Sequence, residues 1–249
     1  MTDIAPSRID RGDGATLAYH RTKGDGPGIV FLPGYASDMT GSKALAVDAW
    51  AMDQGRACLR FDYSGCGMSE GDFGDATLDR WRDDALLMID ALTDGPQILV
   101  GSSMGGWLML LIALKRPERV AGLVGIAAAP DFTDWGFGED DKLILLREGA
   151  LYRHSDYGPE PTRTTRSFWQ SGEANRLLGG PIAIDAPVRL IHGQRDDAVP
   201  SEISCRLAAA LHSADVQVTL IKDGDHRLSR DADVALLLRT IAALVDEAA

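Results

Sequence analysis

The sequence predicts an α/β fold in which a mostly parallel central sheet is covered by helices on both faces. Short apolar runs alternate with longer segments of helical periodicity along most of the chain. The 249 residues, 45% of them hydrophobic and 25% charged, are enough to bury one sizeable core. We therefore expect a single domain that spans residues 1–249.

The N-terminal half begins with a hairpin and continues with alternating strands and helices. A Gly-Asp-Gly turn at residues 12–14 separates two strand-like segments, residues 7–11 and 15–21. The elements expected after this hairpin are, in chain order, a strand at residues 29–32, a helix at 42–54, a strand at 57–61 and a helix at 78–92. Gly55 ends the first helix, and the second is amphipathic with Trp81 on its apolar face.

The C-terminal half continues the alternation with one interruption. The expected elements are a strand at residues 97–100, a helix that follows it up to Pro117, strands at 120–126, 188–191 and 216–221, and a helix at 233–245. Residues 131–185 are rich in turns and do not alternate regularly. We expect this segment to be an insertion that folds over the active end of the sheet as a lid, because it is too short for a strong core of its own.

A nucleophile motif lies between the strand at residues 97–100 and the helix that follows. Gly101-Ser102-Ser103-Met104-Gly105 matches G-x-S-x-G, in which the serine sits on a sharp turn between a strand and a helix. Side chains at Gly101 and Gly105 would collide with such a turn. The alternative is a Gly/Ser-rich turn without activity. The flanking strand and helix favour Ser103 as a nucleophile.

A serine nucleophile needs a base, and His226 is the best candidate among five histidines. Chain order in this kind of site is Ser, then Asp or Glu, then His. His226 lies in the loop after the strand at 216–221, at the carboxyl end where ligands bind such sheets. The alternative is a loop histidine without a role. The other histidines are expected to be solvated or structural, with His192 shaping a turn: His20, His154, His192 and His212.

The acid is expected in the loop that follows the strand at 188–191. Asp196 is the preferred partner for the imidazole, and Asp197 is its competitor because one residue decides which carboxylate points inward. The alternative role for these carboxylates is to cap the helix that begins near Pro200. Asp225 is too close to His226 in the chain and is expected to shape the loop.

An oxyanion hole is expected from two backbone N–H groups. One belongs to Met104, directly after the nucleophile, and the other to Tyr35, which follows the strand that ends at Pro33 and Gly34. The Tyr35 side chain is expected either to line the pocket or to pack against the lid. Nothing in this chemistry requires a metal or an organic cofactor.

At this point the residues resemble the α/β-hydrolase family, and in particular its branch of mammalian mitochondrial depalmitoylases and acyl-glucuronide esterases. The segments that carry the resemblance are residues 34–46, 60–65 and 94–109, the His-Gly-x-x-Asp segment at 192–196, and residues 225–227. The resemblance runs from Gly28 to the C-terminus and is weakest across the lid. It implies hydrolysis of acyl esters or thioesters, with Ser103, Asp196 and His226 as a catalytic triad.

Four residues of the lid are candidates for contact with substrate. Trp135 and Trp169 are aromatic residues that would line an acyl tunnel or form the lid core. Arg163 and Arg166 would bind a carboxylate of the substrate, or would pair with acidic residues on a solvated surface, which we favour. Two alternatives to an esterase are a carbon–carbon bond hydrolase with the same triad and a non-catalytic ligand-binding protein.

The composition of the chain limits which binding partners and which cellular location are expected. The net charge of −12 argues against nucleic acid or an anionic membrane, so the expected partner is a small-molecule or acylated substrate. No apolar run is long enough to span a membrane, and residues 1–6 do not resemble a secretory signal. The three cysteines show no CxxC spacing, which favours a reducing cytoplasm.

Overall fold

The computed structural model describes residues 5–154 and 161–248. Most of residues 1–6, which do not resemble a secretory signal, lie outside the described residues, as do residues 155–160 of the expected lid. Within the described ranges, none of the helices is long and apolar enough to cross a membrane.

An eight-stranded sheet forms the centre of the fold, and six of its strands are parallel. The strands of the described residues are β1 Ser7–Asp10, β2 Thr16–Thr22, β3 Asp25–Leu32, β4 Arg56–Phe61, β5 Gln97–Ser102, β6 Val120–Ile126, β7 Ala150–Arg153, β8 Thr162–Thr165, β9 Val188–Gly193 and β10 Val216–Ile221. The central sheet has the order β1-β2-β4-β3-β5-β6-β9-β10. Only the β1–β2 and β2–β4 pairs are antiparallel, which confirms the mostly parallel sheet.

Helices cover both faces of this sheet, as the sequence predicts. They are α1 Ser42–Asp53, α2 Leu78–Leu92, α3 Met104–Lys115, α4 Phe132–Trp135, α5 Glu139–Glu148, α6 Arg166–Ala174, α7 Glu202–Ala210 and α8 Asp231–Glu247. Alternate residues of β3 show the two cores. Val30 and Leu32 pack with α2, α3 and α7, whereas Ile29 and Phe31 pack with α1 and α8.

The inserted segment, residues 131–185, carries more regular structure than its sequence suggests. It contains α4, α5, the antiparallel β7–β8 hairpin and α6. One side chain joins its two ends. The carboxylate of Asp131 accepts hydrogen bonds from the backbone N–H groups of Leu177 and Leu178, both at 2.7 Å. Asp131 is buried and has a φ of 59°, a conformation that aspartate tolerates better than most residues.

The Asp131 carboxylate therefore determines how firmly the inserted segment is attached. In Asp131→Asn the backbone conformation is kept, but one acceptor oxygen must serve two N–H groups. We expect a loss of about 1–3 kcal/mol in the free energy of unfolding, the usual cost of an unpaired buried donor. Urea denaturation at pH 7 measures it, with the exposed Asp140→Ala as the control. An unchanged midpoint for Asp131→Asn would show that the two bonds contribute little.

Candidate active site

A strained turn between β5 and α3 presents Ser103. Its backbone has φ 54° and ψ −119°, a region that residues with a side chain rarely adopt. Three backbone hydrogen bonds hold it there. Its N–H donates to the carbonyl oxygen of Ile126 at 2.9 Å, and its carbonyl accepts from Gly106 at 2.9 Å and from Ala129 at 3.0 Å. The turn is thus anchored to the end of β6.

Three glycines allow the backbone to pack closely enough to enforce this turn. A Cβ at Gly105 would overlap the carbonyl oxygens of Leu32 and Pro33, and a Cβ at Gly101 would overlap the backbone of Gly105. A Cβ at Gly106 would overlap the Ala128 side chain. The first turn of α3 therefore lies directly against the end of β3.

The structure brings Ser103, His226 and Asp196 together at the carboxyl ends of β5, β10 and β9. His226 Nε2 lies 3.1 Å from Ser103 Oγ, and His226 Nδ1 lies 2.8 Å from Asp196 Oδ2. The His226 side chain is 19% exposed and that of Asp196 is inaccessible. A group that enters from solvent can therefore reach the serine and the imidazole but not the carboxylate.

Of the two neighbouring carboxylates, Asp196 faces His226 and Asp197 is exposed. The remaining oxygen of Asp196, Oδ1, accepts from the backbone N–H groups of Ala198 at 2.9 Å and Val199 at 2.8 Å. These bonds turn the carboxylate inward, so the loop backbone decides which aspartate meets the histidine.

Asp196 is ionised throughout the neutral range. Burial opposes its charge, but hydrogen bonds from His192 and His226 and electrostatic attraction to the His226 ring outweigh burial and hold the pKa of Asp196 well below its usual range. Because the pKa is lowered, the stabilisation from this charge is complete above the pKa of an unfolded aspartate. It is lost only as the pH falls toward the lower folded pKa.

His192 has contacts that sequence reasoning missed. It is fully buried at the end of β9, and its Nε2 lies 3.2 Å from Asp196 Oδ2 and 3.0 Å from the carbonyl oxygen of Val199. Its Nδ1 lies 2.7 Å from Ser204 Oγ on α7. The role expected for His192 from the sequence was to shape a turn. Its position on the strand that leads to Asp196, four residues before that carboxylate, is the sequence feature that points to a contact between the two.

Two backbone N–H groups lie next to Ser103 in the chain or in the fold. Met104 is the first residue of α3, and a first-turn N–H has no acceptor within its own helix. Tyr35 belongs to the loop after β3, and together with Ser103 and His226 it lines a cavity of about 290 Å³. A larger cleft of about 530 Å³ lies at the opposite end of the sheet beside Pro27, and among the described residues its lining holds no serine or histidine.

The Tyr35 side chain joins this loop to the inserted segment. Its hydroxyl donates to the carbonyl oxygen of Arg163 at 3.0 Å and lies 3.2 Å from Thr164 Oγ1. Its ring packs against Phe168 and Trp81, at 4.9 and 5.7 Å between centroids. Burial raises the pKa of Tyr35 to about 12, so the hydroxyl keeps its proton. The side chain packs against the inserted segment, and Tyr35 also lines the cavity beside Ser103.

The two tryptophans of the inserted segment pack into small apolar clusters. Trp135 donates from its ring nitrogen to the carbonyl oxygen of Pro130 at 2.8 Å and packs against the cluster of Ala129, Val199 and Ile203. Trp169 donates to the carbonyl oxygen of Thr133 at 3.1 Å. Within the described residues, neither lines the cavity beside Ser103.

The two arginines of the inserted segment lie against backbone. The guanidinium of Arg163 rests on Gly74, and that of Arg166 donates to the carbonyl oxygen of Leu146 at 3.1 Å. In the part of the chain that the structure describes, neither contributes to the lining of the Ser103 cavity. Their positions suit attachment of the segment rather than contact with a carboxylate at the serine.

Cys66, in the loop after β4, is buried, and burial raises the pKa of its thiol to about 12. The thiolate is the nucleophilic form of cysteine, and it is scarcely populated at neutral pH with such a pKa. Ser103 is therefore the better nucleophile candidate of the two.

Comparisons with known proteins agree with this fold. A family model described as "alpha/beta hydrolase fold" matches residues 27–149. The chain is 45% identical to the Homo sapiens protein named palmitoyl-protein thioesterase ABHD10, mitochondrial, over 97% of this chain and 80% of that protein. It superposes on the solved structure of alpha/beta hydrolase domain-containing protein 10 from mouse with a TM-score of 0.92 and 42% identity. That match covers 98% of this chain and 100% of the mouse chain.

A more distant relative is 2-hydroxymuconate semialdehyde hydrolase of Pseudomonas sp. strain CF600. It is 28% identical over 74% of this chain and 78% of its own length.

The expected cytoplasmic location is contradicted by these comparisons, because the mammalian relatives are named as mitochondrial proteins. The expectation rested on cysteines without disulfide spacing. Unpaired cysteines indicate a reducing rather than an oxidising compartment, but they do not indicate which reducing compartment holds the protein.

The close approach at Gly105 predicts a sharp difference between two glycine substitutions. In Gly105→Ala the new methyl group meets two carbonyl oxygens, and we expect a loss of about 2–3 kcal/mol in the free energy of unfolding. Gly179 has open space around it, so Gly179→Ala should leave stability within about 0.5 kcal/mol of the original. Thermal or urea unfolding of both variants checks the difference. Equal stability of the two would contradict the packing described for the turn.

Proposed function

The chain belongs to the α/β-hydrolase family and is an ester or thioester hydrolase, and from this premise we propose that Ser103, His226 and Asp196 are its catalytic triad. The observation that carries the proposal is the continuous line of hydrogen bonds from the Asp196 carboxylate through the His226 imidazole to Ser103 Oγ. A serine hydroxyl is a weak nucleophile at neutral pH, and such an arrangement activates it.

The reaction begins when Ser103 Oγ attacks the carbonyl carbon of the substrate. The proton of the hydroxyl moves to Nε2 of His226, and the ionised Asp196 stabilises the imidazolium that forms. The backbone N–H groups of Met104 and Tyr35 hold the negative charge that develops on the carbonyl oxygen. The N-terminal end of α3 adds its partial positive charge at the same point.

The intermediate then releases the leaving group. The bond from the carbonyl carbon to the leaving sulfur or oxygen breaks, and the proton on His226 Nε2 passes to that atom. An acyl-enzyme on Ser103 remains. Water attacks it with His226 again as the base, which frees the acid and restores the serine hydroxyl.

We assign the leaving group to the cavity beside His226. Its lining is largely polar on the side of α1: Ser37, Asp38, Ser42, Lys43, Arg227 and Ser229. A cavity of this character and size suits the polar part of a substrate better than a long hydrocarbon chain.

The acyl chain is assigned to the opposite side, under the inserted segment, which acts as the lid of a single domain. The apolar clusters of this segment support the assignment, with Trp135 beside the loop of Asp196. The relatives named palmitoyl-protein thioesterase support a long-chain acyl thioester as substrate. Arg163 and Arg166 have no substrate contact in this proposal, because both are held on backbone.

Replacement of the nucleophile tests the proposal directly. Ser103→Ala should abolish turnover of palmitoyl thioesters and p-nitrophenyl esters, and labelling by a fluorophosphonate, while the far-UV circular dichroism stays unchanged. The expected loss of kcat is at least about 10⁴-fold, since the residual rate comes only from binding and the oxyanion hole. Substantial turnover by Ser103→Ala would exclude Ser103 as the nucleophile.

The two neighbouring aspartates provide a matched pair of variants. Asp196→Asn should lower kcat by about 10³–10⁴-fold, because the amide cannot orient and stabilise the imidazolium as the carboxylate does. Asp197→Asn changes an exposed side chain and should stay within about twofold of the unaltered enzyme. Steady-state kinetics on one p-nitrophenyl ester compares them. If Asp197→Asn were the slower variant, the assignment of the acid would be reversed.

A further inference from the structure

The carboxylate of Asp196 accepts three hydrogen bonds, of which one comes from His226, and it lies 3.2 Å from a second imidazole, that of His192. Two backbone N–H groups, those of Ala198 and Val199, donate to Oδ1. The other oxygen, Oδ2, has two imidazoles within reach, His226 Nδ1 at 2.8 Å and His192 Nε2 at 3.2 Å. The oxygen that faces the base is therefore shared with a second histidine.

The contacts of His192 determine which of its nitrogens carries a hydrogen. Nε2 faces two acceptors, the carbonyl oxygen of Val199 and the carboxylate of Asp196, so a bare nitrogen there would face only lone pairs. Nε2 is therefore protonated. Nδ1 faces the hydroxyl of Ser204, which both donates and accepts and so imposes no conflict. His192 is a hydrogen-bond donor to Asp196.

We propose that His192 is a positioning residue that acts on the reaction through Asp196, an inference that rests on the proposed triad. Its N–H holds Oδ2 in the direction of His226. By donating to the same oxygen it withdraws part of the negative charge that would otherwise stabilise the His226 imidazolium. His192 thus influences both the charge and the direction of the oxygen that His226 meets.

Burial strengthens the contact between His192 and Asp196. His192 and the side chain of Asp196 are both inaccessible to solvent, so water screens neither the carboxylate nor the shared N–H. Hydrogen bonds to a charged group are strengthened in such surroundings. The bonds of His192 to Val199 and Ser204 are enough to hold the ring in place, and its contact with Asp196 is the one that reaches the chemistry.

Other charged groups surround the pair but do not depend on His192. They are Arg195 and Asp197 in the loop of Asp196, Asp225 and Arg227 beside His226, and Lys43 from α1. Lys43 Nζ donates to the carbonyl oxygen of Arg227 at 2.5 Å, and Asp225 accepts from the backbone N–H of Leu228 at 2.9 Å. Substitution of His192 leaves these contacts in place. A change in the pH profile or in the proton resonance of His226 therefore reports on the contact between His192 and Asp196.

Four variants separate positioning from packing. His192→Asn carries an amide near Nδ1, which still reaches Ser204, but it has no donor for Asp196. His192→Phe keeps a flat ring without any donor. His192→Gln extends an amide N–H to about the position of Nε2. Ser204→Ala is the matched control, because it removes the hydrogen bond at Nδ1 of the same ring and leaves the Nε2 hydrogen that faces Val199 and Asp196.

The readouts are the pH profile of kcat/KM on a p-nitrophenyl ester and the downfield proton resonance of the His226 Nδ1–H. In His192→Asn and His192→Phe we expect kcat to fall about tenfold with KM little changed, less than loss of the acid itself costs. The apparent pKa of the acidic limb should rise by about half a unit or more, and the resonance should move downfield. His192→Gln should restore the profile, and Ser204→Ala should retain it.

Either of the two donor-deleting variants suffices if it folds, as judged by circular dichroism. The inference is overturned if a folded one keeps the pH profile and the resonance of the unaltered enzyme, or if Ser204→Ala reproduces the shift. Failure of the triad itself is a different result. In that case Ser103→Ala would keep its activity, whereas here Ser103-dependent turnover persists and only the effect of His192 is missing.

Discussion

The strained backbone at Ser103 is the constraint on which the rest of the structure depends. A residue in this conformation costs about 1–3 kcal/mol, and it persists only where the surroundings enforce it. The close contact between Gly105 and the end of β3 provides that enforcement, together with the almost wholly buried helix α3. From this one turn follow the place of Ser103 in the cavity lining, the start of α3 at Met104 and the 3.1 Å distance from Ser103 Oγ to His226 Nε2.

The second requirement is a stable negative charge behind the base. An ionised carboxylate is costly to bury unless every lone pair finds a donor. Asp196 meets this condition with two backbone N–H groups and two histidines, and its pKa is held low as a result. The same set of bonds that keeps the charge also fixes the direction of the oxygen that meets His226. Charge and geometry at this point are therefore one property of the loop after β9.

Chemistry and substrate selection are assigned to different parts of the chain. The proposed catalytic groups lie in loops at the carboxyl ends of the central strands, whereas the inserted segment is attached at its ends through Asp131 and at its middle through Tyr35. Tyr35 belongs to both parts, because it lines the cavity beside Ser103 and its hydroxyl donates to the backbone of Arg163 in β8. A change in the inserted segment can therefore alter the pocket without displacing the triad.

The sequence by itself determined the alternation of strands and helices, the turn at Ser103 and the chain order of serine, acid and histidine. These are local patterns: α2, β6 and β10 lie at the predicted bounds because the periodicity is strong there. Only the tertiary structure decided that Asp196 and not Asp197 turns inward, and that His192 shares its oxygen. Both features depend on contacts between β9, its loop and α7. A change in the backbone direction of the loop by one residue would turn Asp197 inward in place of Asp196, and the sequence pattern around the two residues does not specify that direction.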